Sequence, residues 1–139
     1  MGTAAELSPP RRLDPAVVAR LAALGIDVDG ADAADAAPST EPSELADAVG
    51  VALDDVRVPI VLGGDCSILL GCLLALRRRG RYGLLFLDGH ADFYQPAAEP
   101  NGEAASMDLA LATGRGPAIA ANLEGRRPLV RDDDVVVIG

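Results

Sequence analysis

The fold of this chain is decided by two stretches, Val61-Leu-Gly-Gly-Asp-Cys-Ser67 and Leu84-Leu-Phe-Leu-Asp-Gly-His-Ala-Asp92. Each begins as an apolar run and ends in polar residues. Apolar runs that do not alternate with polar residues are typical of strands buried on both faces of a sheet. We therefore predict that each stretch is the end of a strand, followed by a loop that carries the chemistry.

Outward from these stretches, helices and strands are predicted to alternate along the chain. The predicted helices are Asp14–Leu24, Ser43–Leu53, Ile68–Arg79 and Ser106–Thr113, and the predicted strands are Ile26–Val28, Val58–Leu62, Leu84–Leu87 and Val135–Ile138. Apolar strands separated by helices indicate an α/β fold, a three-layer parallel sheet with helices on both faces. In such sheets ligands bind at the carboxyl ends of the strands.

Three potential metal ligands follow the predicted strand Leu84–Leu87 at alternate positions, namely Asp88, His90 and Asp92. In an extended segment such residues point the same way, so all three side chains can converge on one or two cations. Carboxylates with a single imidazole suit Mn²⁺, and Fe²⁺ or Zn²⁺ less specifically. Such a site can generate hydroxide from bound water. The alternative is a polar strand end with a solvated histidine.

Three motifs together carry a resemblance to a known family. They are Gly63-Gly-Asp-Cys-Ser67, Leu87-Asp-Gly-His-Ala-Asp92 and Gly102-Glu-Ala-Ala-Ser-Met107. In order and approximate spacing they resemble the ureohydrolases, the arginase and agmatinase family, over roughly residues 55–139. The resemblance implies a binuclear manganese cluster at the strand ends. It also implies hydrolysis of guanidino or formimino C–N bonds in linear amidines by a metal-bound hydroxide.

The resemblance also implies roles for particular residues. Asp88 would bridge two metals, while His90 would bind one of them and Asp92 the other. Cys66 stands where the family usually has a histidine ligand, and Asp65 would orient the ligands from a second layer. Two of these positions have simpler alternatives, since Cys66 could be a small buried residue at a tight turn and Asp65 could cap the helix that follows. Ser67 is predicted to be the N-cap of that helix.

The third motif lies in a region that the resemblance assigns to substrate. Gly102 and Glu103 would belong to a substrate loop, although the pair could form only a turn. Glu103 and Asp108 could help to hold a cationic substrate. Ala105 occupies a position where arginase-like enzymes carry a histidine near the substrate.

Two further departures from the family pattern shape the functional hypothesis. A thiolate at Cys66 is a softer ligand than imidazole and would shift the metal preference toward Zn²⁺ or Fe²⁺. The family also has a later Asp-x-Asp at a strand end, whereas Asp132 and Asp134 precede their strand. We therefore predict a single arginase-like α/β domain over residues 1–139 that is incomplete at its C-terminus. The alternative function is a catalytically incomplete or degenerate member that binds metal or a partner without turnover.

Composition limits the partners and the location. The net charge is −9, which argues against nucleic-acid binding and would either attract a cationic substrate or simply solvate the surface. Two cysteines make no disulfide framework, and no signal peptide is visible in residues 1–12, so a cytoplasmic location is predicted. The longest mostly apolar run, Ile68–Leu76, is too short to span a membrane. The resemblance implies a small guanidino-type substrate and a possible homo-oligomer.

Overall fold

The computed structural model describes residues 41–54 and 58–139, which belong to one compact unit, Pro38–Gly139. Its helices are α1 (Pro42–Asp54), α2 (Ile68–Arg79), α3 (Asp108–Ala112) and α4 (Ala118–Ala121), and its strands are β1 (Leu84–Leu87) and β2 (Val135–Ile138). Short 3₁₀ turns cover Ala104–Ser106, Leu123–Gly125 and Asp132–Asp134. The helix predicted over 14–24 and the strand predicted over 26–28 lie outside the described residues.

Helix α2 has the bounds that the sequence predicts. Its apolar residues favour a buried helix, and three arginines in its last turn, residues 77–79, suit the negative end of the helix dipole. The helix ends at Gly80, whose N–H donates to the carbonyl oxygen of Leu76 at 3.1 Å. Because Leu74 is completely buried, its burial contributes roughly 1.5–3 kcal/mol to folding.

Helix α1 packs directly against α2. It begins at Pro42, one residue before the predicted start, where the fixed φ of proline suits the first helical turn. Gly71 of α2 permits the close approach, since a Cβ there would lie 2.8 Å from Cδ2 of Leu45 in α1. The buried core joins these two helices to α3, α4 and the segment before β2; its members are Ala46, Val49, Leu70, Leu73, Leu74, Ala75, Leu111, Ala112, Ala121, Leu129 and Val130.

Strands β1 and β2 pair in parallel, with Leu84 opposite Val135 and Leu87 opposite Ile138. Both strands have the predicted bounds, and their parallel pairing agrees with the predicted α/β fold. At the amino ends of the strands, the Arg81 guanidinium donates two hydrogen bonds of 2.7 Å to the carboxylate of Asp134. Asp134 therefore lies at the edge of the sheet opposite to Asp88, which follows the carboxyl end of β1.

The strand predicted over 58–62 is not formed within the part of the chain that the structure describes. A strand requires a neighbour that pairs with its backbone, and the described sheet has only the order β1-β2. The side chains of this segment still divide between solvent and core. Val58, Ile60 and Leu62 are exposed, while Val61 packs against the core. An apolar run predicts which backbone can be extended, but not which strand it would pair with.

One face of the strand pair is exposed. Phe86 is buried, whereas its neighbours Leu85 and Leu87 are exposed, as are Val136 and Ile138 of β2. None of the helices in the described ranges is long and apolar enough to cross a membrane.

Candidate metal centre

Three potential metal ligands come together after the carboxyl end of β1. The Sγ of Cys66 and one carboxylate oxygen each from Asp88 and Asp92 lie within 4.8 Å of one another. The Cys66 thiol donates a 3.6 Å hydrogen bond to Oδ2 of Asp88. Cys66 therefore meets carboxylates that follow it by 22 residues or more in the sequence, as expected for loops at the carboxyl ends of parallel strands.

The turn before α2 positions Cys66. Within it, Oδ1 of Asp65 accepts hydrogen bonds from the backbone N–H of Ser67 at 2.8 Å and from its hydroxyl at 2.5 Å. These two bonds lower the pKa of Asp65. Ser67 does occupy the N-cap position of α2, but its backbone is already helical there (φ −61°, ψ −19°) and its side chain makes no capping bond. Its hydroxyl donates to Asp65. Asp65 is exposed and lies outside the donor group, so its orienting role stays a prediction.

The loop from Asp88 to Asp92 is not extended, contrary to expectation. Oδ1 of Asp88 accepts the backbone N–H of His90 at 3.0 Å, which bends the chain at Gly89 and His90. Asp92 then takes a left-handed conformation with φ of 42°. As a result the His90 imidazole is 87% exposed, with Nδ1 3.8 Å from Oδ1 of Asp88. The structure does not bring His90 into the donor group, and its role as a ligand stays a prediction.

The position of Asp92 is fixed by backbone hydrogen bonds to the start of α3. The carbonyl oxygen of Asp92 accepts the N–H of Leu109 at 3.1 Å, and Tyr94 donates its N–H to the carbonyl of Ser106 at 3.2 Å. Asp108, the first residue of α3, is completely buried. Neither of its carboxylate oxygens has a hydrogen-bond partner within residues 41–54 and 58–139.

Negative charge accumulates in this region. Burial raises the pKa of the Cys66 thiol to about 11, and the neighbouring carboxylates of Asp92 and Asp88 add to the rise. Burial likewise raises the pKa of Asp108 to about 7. The nearby Leu109 N–H opposes this rise, although it makes no hydrogen bond of good geometry to the carboxylate, and the charges of Asp92 and Asp88 add to it. The thiol and the two carboxylates of the donor group fit a divalent cation, because the ion would offset the repulsion among these groups and the buried carboxyl group beside them.

The donor group opens into a cleft of about 810 Å³, a volume that suits a small-molecule ligand. Glu103 and Ala105 lie on its wall together with His90. Gly102 does not line the cleft and instead has a positive φ of 69°. The structure therefore brings Glu103 to the site, while Gly102 shapes the turn beside it. The substrate-binding assignment of both residues stays a prediction.

Sequence reasoning considered Asp108 only as a contact for substrate and did not predict its burial beside the metal ligands. The available signal was a carboxylate directly before the apolar run Leu109-Ala-Leu-Ala112. Such a position can equally be an exposed first turn of a helix, where acidic residues are common. The burial arises because the turn around Asp92 lies against the start of α3, which is a tertiary contact.

The parallel strand pair, with its carboxylate-rich cleft at a strand end, defines an α/β protein with a candidate strand-end metal site. Over residues 18–139 the sequence matches the Arginase family, and the chain belongs to this family. The predicted resemblance is thus confirmed.

Curated relatives and solved structures agree with this membership. Arginase from Bacillus subtilis (strain 168) is 34% identical over 97 residues, which are 69% of this chain and 33% of the relative. Arginase from Brevibacillus brevis is 36% identical over the same length. The crystal structure of the Bacillus subtilis arginase aligns with a TM-score of 0.66 at 33% identity, over 70% of this chain and 35% of that one. The structure of arginase from Bacillus caldovelox aligns with a TM-score of 0.64 at 32% identity, over 69% of this chain and 32% of that one.

This chain spans about a third of the length of the curated relatives it matches. Over that third, the structural match shows an arginase-like fold, which confirms the coarse part of the predicted fold class.

Proposed function

We propose that this chain provides the metal centre of a hydrolase that acts on linear amidines, at guanidino or formimino C–N bonds. The observation that carries the proposal is the meeting of Cys66, Asp88 and Asp92 in a cleft at the end of β1, in a chain of the Arginase family. The three-layer sheet of the sequence prediction is part of this proposal, with β1 and β2 as two of its strands.

The donor set supports Mn²⁺, the metal that the family uses. Asp88 and Asp92 offer the carboxylate oxygens that Mn²⁺ prefers, whereas the sulfur of Cys66 also suits Zn²⁺ or Fe²⁺. When bound, the metal supplies Lewis-acid chemistry and activates water. The proposal includes two such ions, which Cys66, Asp88 and Asp92 would hold, together with His90 if its side chain turned inward.

The residues of the chain would bind the substrate mainly by charge. Asp88, Asp92 and Glu103 line the cleft with carboxylates, which attract a cationic guanidinium group. Glu103 lies on the cleft wall, where its carboxylate could accept hydrogen bonds from guanidino N–H groups in a bidentate pair. The backbone N–H of Glu103 donates to Oε2 of Glu99 at 2.9 Å, which holds this part of the loop in place.

A second candidate function is a family member that binds metal or a partner without turnover. Two observations favour it. The His90 imidazole points into solvent rather than into the donor group, and Ala105 lies on the cleft wall where a proton-carrying side chain would serve. The two free cysteines fit a reducing compartment, and on that basis we propose a cytoplasmic location for either function.

The decisive experiment measures urea release by the purified chain with Mn²⁺ and either arginine or agmatine. For a hydrolase we expect metal-dependent release that is lost in Asp88→Asn. The matched control is Asp133→Asn, because Asp133 is an exposed carboxylate outside the cleft. Undiminished release in Asp88→Asn would contradict the hydrolase. Metal binding that depends on Asp88, with no urea from arginine or agmatine and no formamide from a formimino compound, would favour the second candidate.

A further inference from the structure

The side chain of Asp108 is an unusual feature of this molecule. It has no exposed surface, and both of its carboxylate oxygens lack hydrogen-bond partners among the residues the structure describes. Burying a carboxylate without partners costs several kcal/mol or more, so native proteins tolerate few such groups. A group of this kind calls for an explanation in terms of what it binds.

Asp108 lies beside the metal ligands rather than in a separate part of the core. The N–H of the next residue, Leu109, donates to the carbonyl oxygen of Asp92 at 3.1 Å. The charges act in both directions, since Asp108 raises the pKa of Cys66 while Asp92 and Asp88 raise the pKa of Asp108. Four acidic groups from three segments of the chain thus share one small region.

The arginines within the described ranges do not neutralise this region. Their ion pairs are formed elsewhere, with Asp47, Glu124, Asp54, Asp134, Asp132 and Asp133. No protein cation pairs with Asp108 on the part of the chain that is described. The group is therefore either protonated or balanced by a bound cation, and the metal ligands beside it favour the bound cation when a divalent ion is present.

We propose that Asp108 is a fourth anionic group of the metal centre, which strengthens cation binding at Cys66, Asp88 and Asp92 by its uncompensated buried charge. This inference rests on the proposed metal site and adds a residue to it. Asp108 acts on the ion by charge, and no substrate contact is required. In the metal-free protein Asp108 holds its proton until the pH rises through about 7, and above that range its charge destabilises the fold.

The test compares the whole chain with its Asp108→Asn variant, which keeps the shape of the side chain and removes the charge. Binding of Mn²⁺, and separately of Zn²⁺, is measured by titration calorimetry after treatment with a chelator. Thermal unfolding is measured on the metal-free proteins. We expect the variant to bind both ions about 10–100-fold more weakly, the range seen when groups around metal ligands are removed. At pH 8, where Asp108 is ionised even without metal, we also expect the metal-free variant to unfold at a higher temperature than the wild type.

Asp133→Asn is the matched control and should change neither measurement. Metal affinity that is unchanged in Asp108→Asn would overturn the inference, even if the variant is more stable. A variant that unfolds at a lower temperature, or does not fold, would also overturn it, because Asp108 would then have a structural partner. If the wild type binds metal and only the variant effect is missing, the proposed function stands. If the wild type binds neither ion, the metal centre itself is refuted.

Discussion

At the residue scale, one carboxylate connects the local turn with the metal centre. Oδ1 of Asp88 accepts the N–H of His90, while Oδ2 accepts the thiol of Cys66. The same side chain therefore bends its own loop and holds a residue from the preceding motif. Removing Asp88 would disturb both, whereas a change at Cys66 tests the donor atom alone.

Cys66→Ser should change metal preference more than it changes overall binding. The substitution replaces a soft sulfur donor with a hard oxygen, which weakens Zn²⁺ binding but suits Mn²⁺. We expect the ratio of Zn²⁺ to Mn²⁺ affinity to fall by about tenfold or more, measured by competition titration. With Co²⁺ as a probe, the sulfur-to-metal charge-transfer absorption of the wild type should disappear in the variant. An unchanged affinity ratio, or absence of that band in the wild type, would show that the sulfur does not bind the ion.

Asp108 should make the stability of the metal-free protein depend on pH. Its pKa rises from an ordinary 3.8 to about 7 because the group is buried, so the folded state holds its proton more tightly than the unfolded state. Its stabilising contribution is therefore complete below about pH 4 and is lost as the pH rises through about 7. Over that range we expect the free energy of unfolding of the wild type to fall, relative to Asp108→Asn, by on the order of 2–4 kcal/mol.

The measurement is denaturant unfolding at several pH values in the presence of a chelator. Only the difference between the two proteins is interpreted, because ion pairs elsewhere give opposite slopes at low pH. Parallel stability curves would show that Asp108 is ionised in the fold.

The sequence predicted that Cys66, Asp88 and Asp92 lie close together, but not the shape of the loop that carries the two carboxylates. Asp88 and Asp92 were predictable because a strand end places polar residues at the sheet edge. The exposure of His90 was not predictable, since it follows from the hydrogen bond between Asp88 and the His90 backbone. Burial of Asp108 depends on a contact with the loop at Asp92, and such contacts are not encoded in a local pattern.

At the element scale, local sequence signals set where a helix or strand begins and ends, whereas a neighbouring strand decides whether an extended segment becomes a strand. The bounds of α2 and β1 follow from uninterrupted apolar runs and from Gly80, so the sequence predicted them to the residue. Residues 58–62 have the same kind of apolar run, yet they form no strand because no described strand lies beside them. A local sequence pattern does not say which strand pairs with which. It likewise does not say which helices pack together or how closely they approach.

The packing of α1 on α2 predicts opposite effects for two helical glycines. In Gly71→Ala the new Cβ would lie 2.8–2.9 Å from three side-chain carbons of Leu45, including its Cβ, which cannot rotate away. The helices must therefore separate, and we expect a loss of about 1–3 kcal/mol in the free energy of unfolding. Gly50→Ala in α1 is the matched control, because nothing lies within 4 Å of its added Cβ.

For Gly50→Ala the higher helix propensity of alanine should stabilise the protein by up to about 1 kcal/mol. Both variants are measured by denaturant unfolding. Equal stabilisation by the two substitutions would mean that α1 and α2 do not pack closely at Gly71.

At the scale of the whole molecule, the exposed face of the strand pair is the main apolar surface that the described residues leave uncovered. Leu85 lies beside Val136 and Leu87 beside Ile138 in the parallel register, and all four side chains are exposed. Contiguous apolar patches on sheets with unpaired strand edges are typical sites of association. The described residues thus carry one face suited to a partner and, at the carboxyl end of the same strands, the candidate metal centre.

We therefore expect the 139-residue chain to self-associate, with an average mass by light scattering that rises with concentration. The double variant Leu85→Lys/Val136→Lys should reduce association, because it places two like charges on adjacent strands within the proposed contact surface. Ile119→Lys is the matched control, since Ile119 is an exposed apolar residue of α4 away from the sheet. A chain that stays monomeric at high concentration, or an equal response to both sets of substitutions, would contradict association through this face. Because the variants leave Asp88 and Asp92 in place, metal titration of each protein shows in addition whether cation binding requires the associated state.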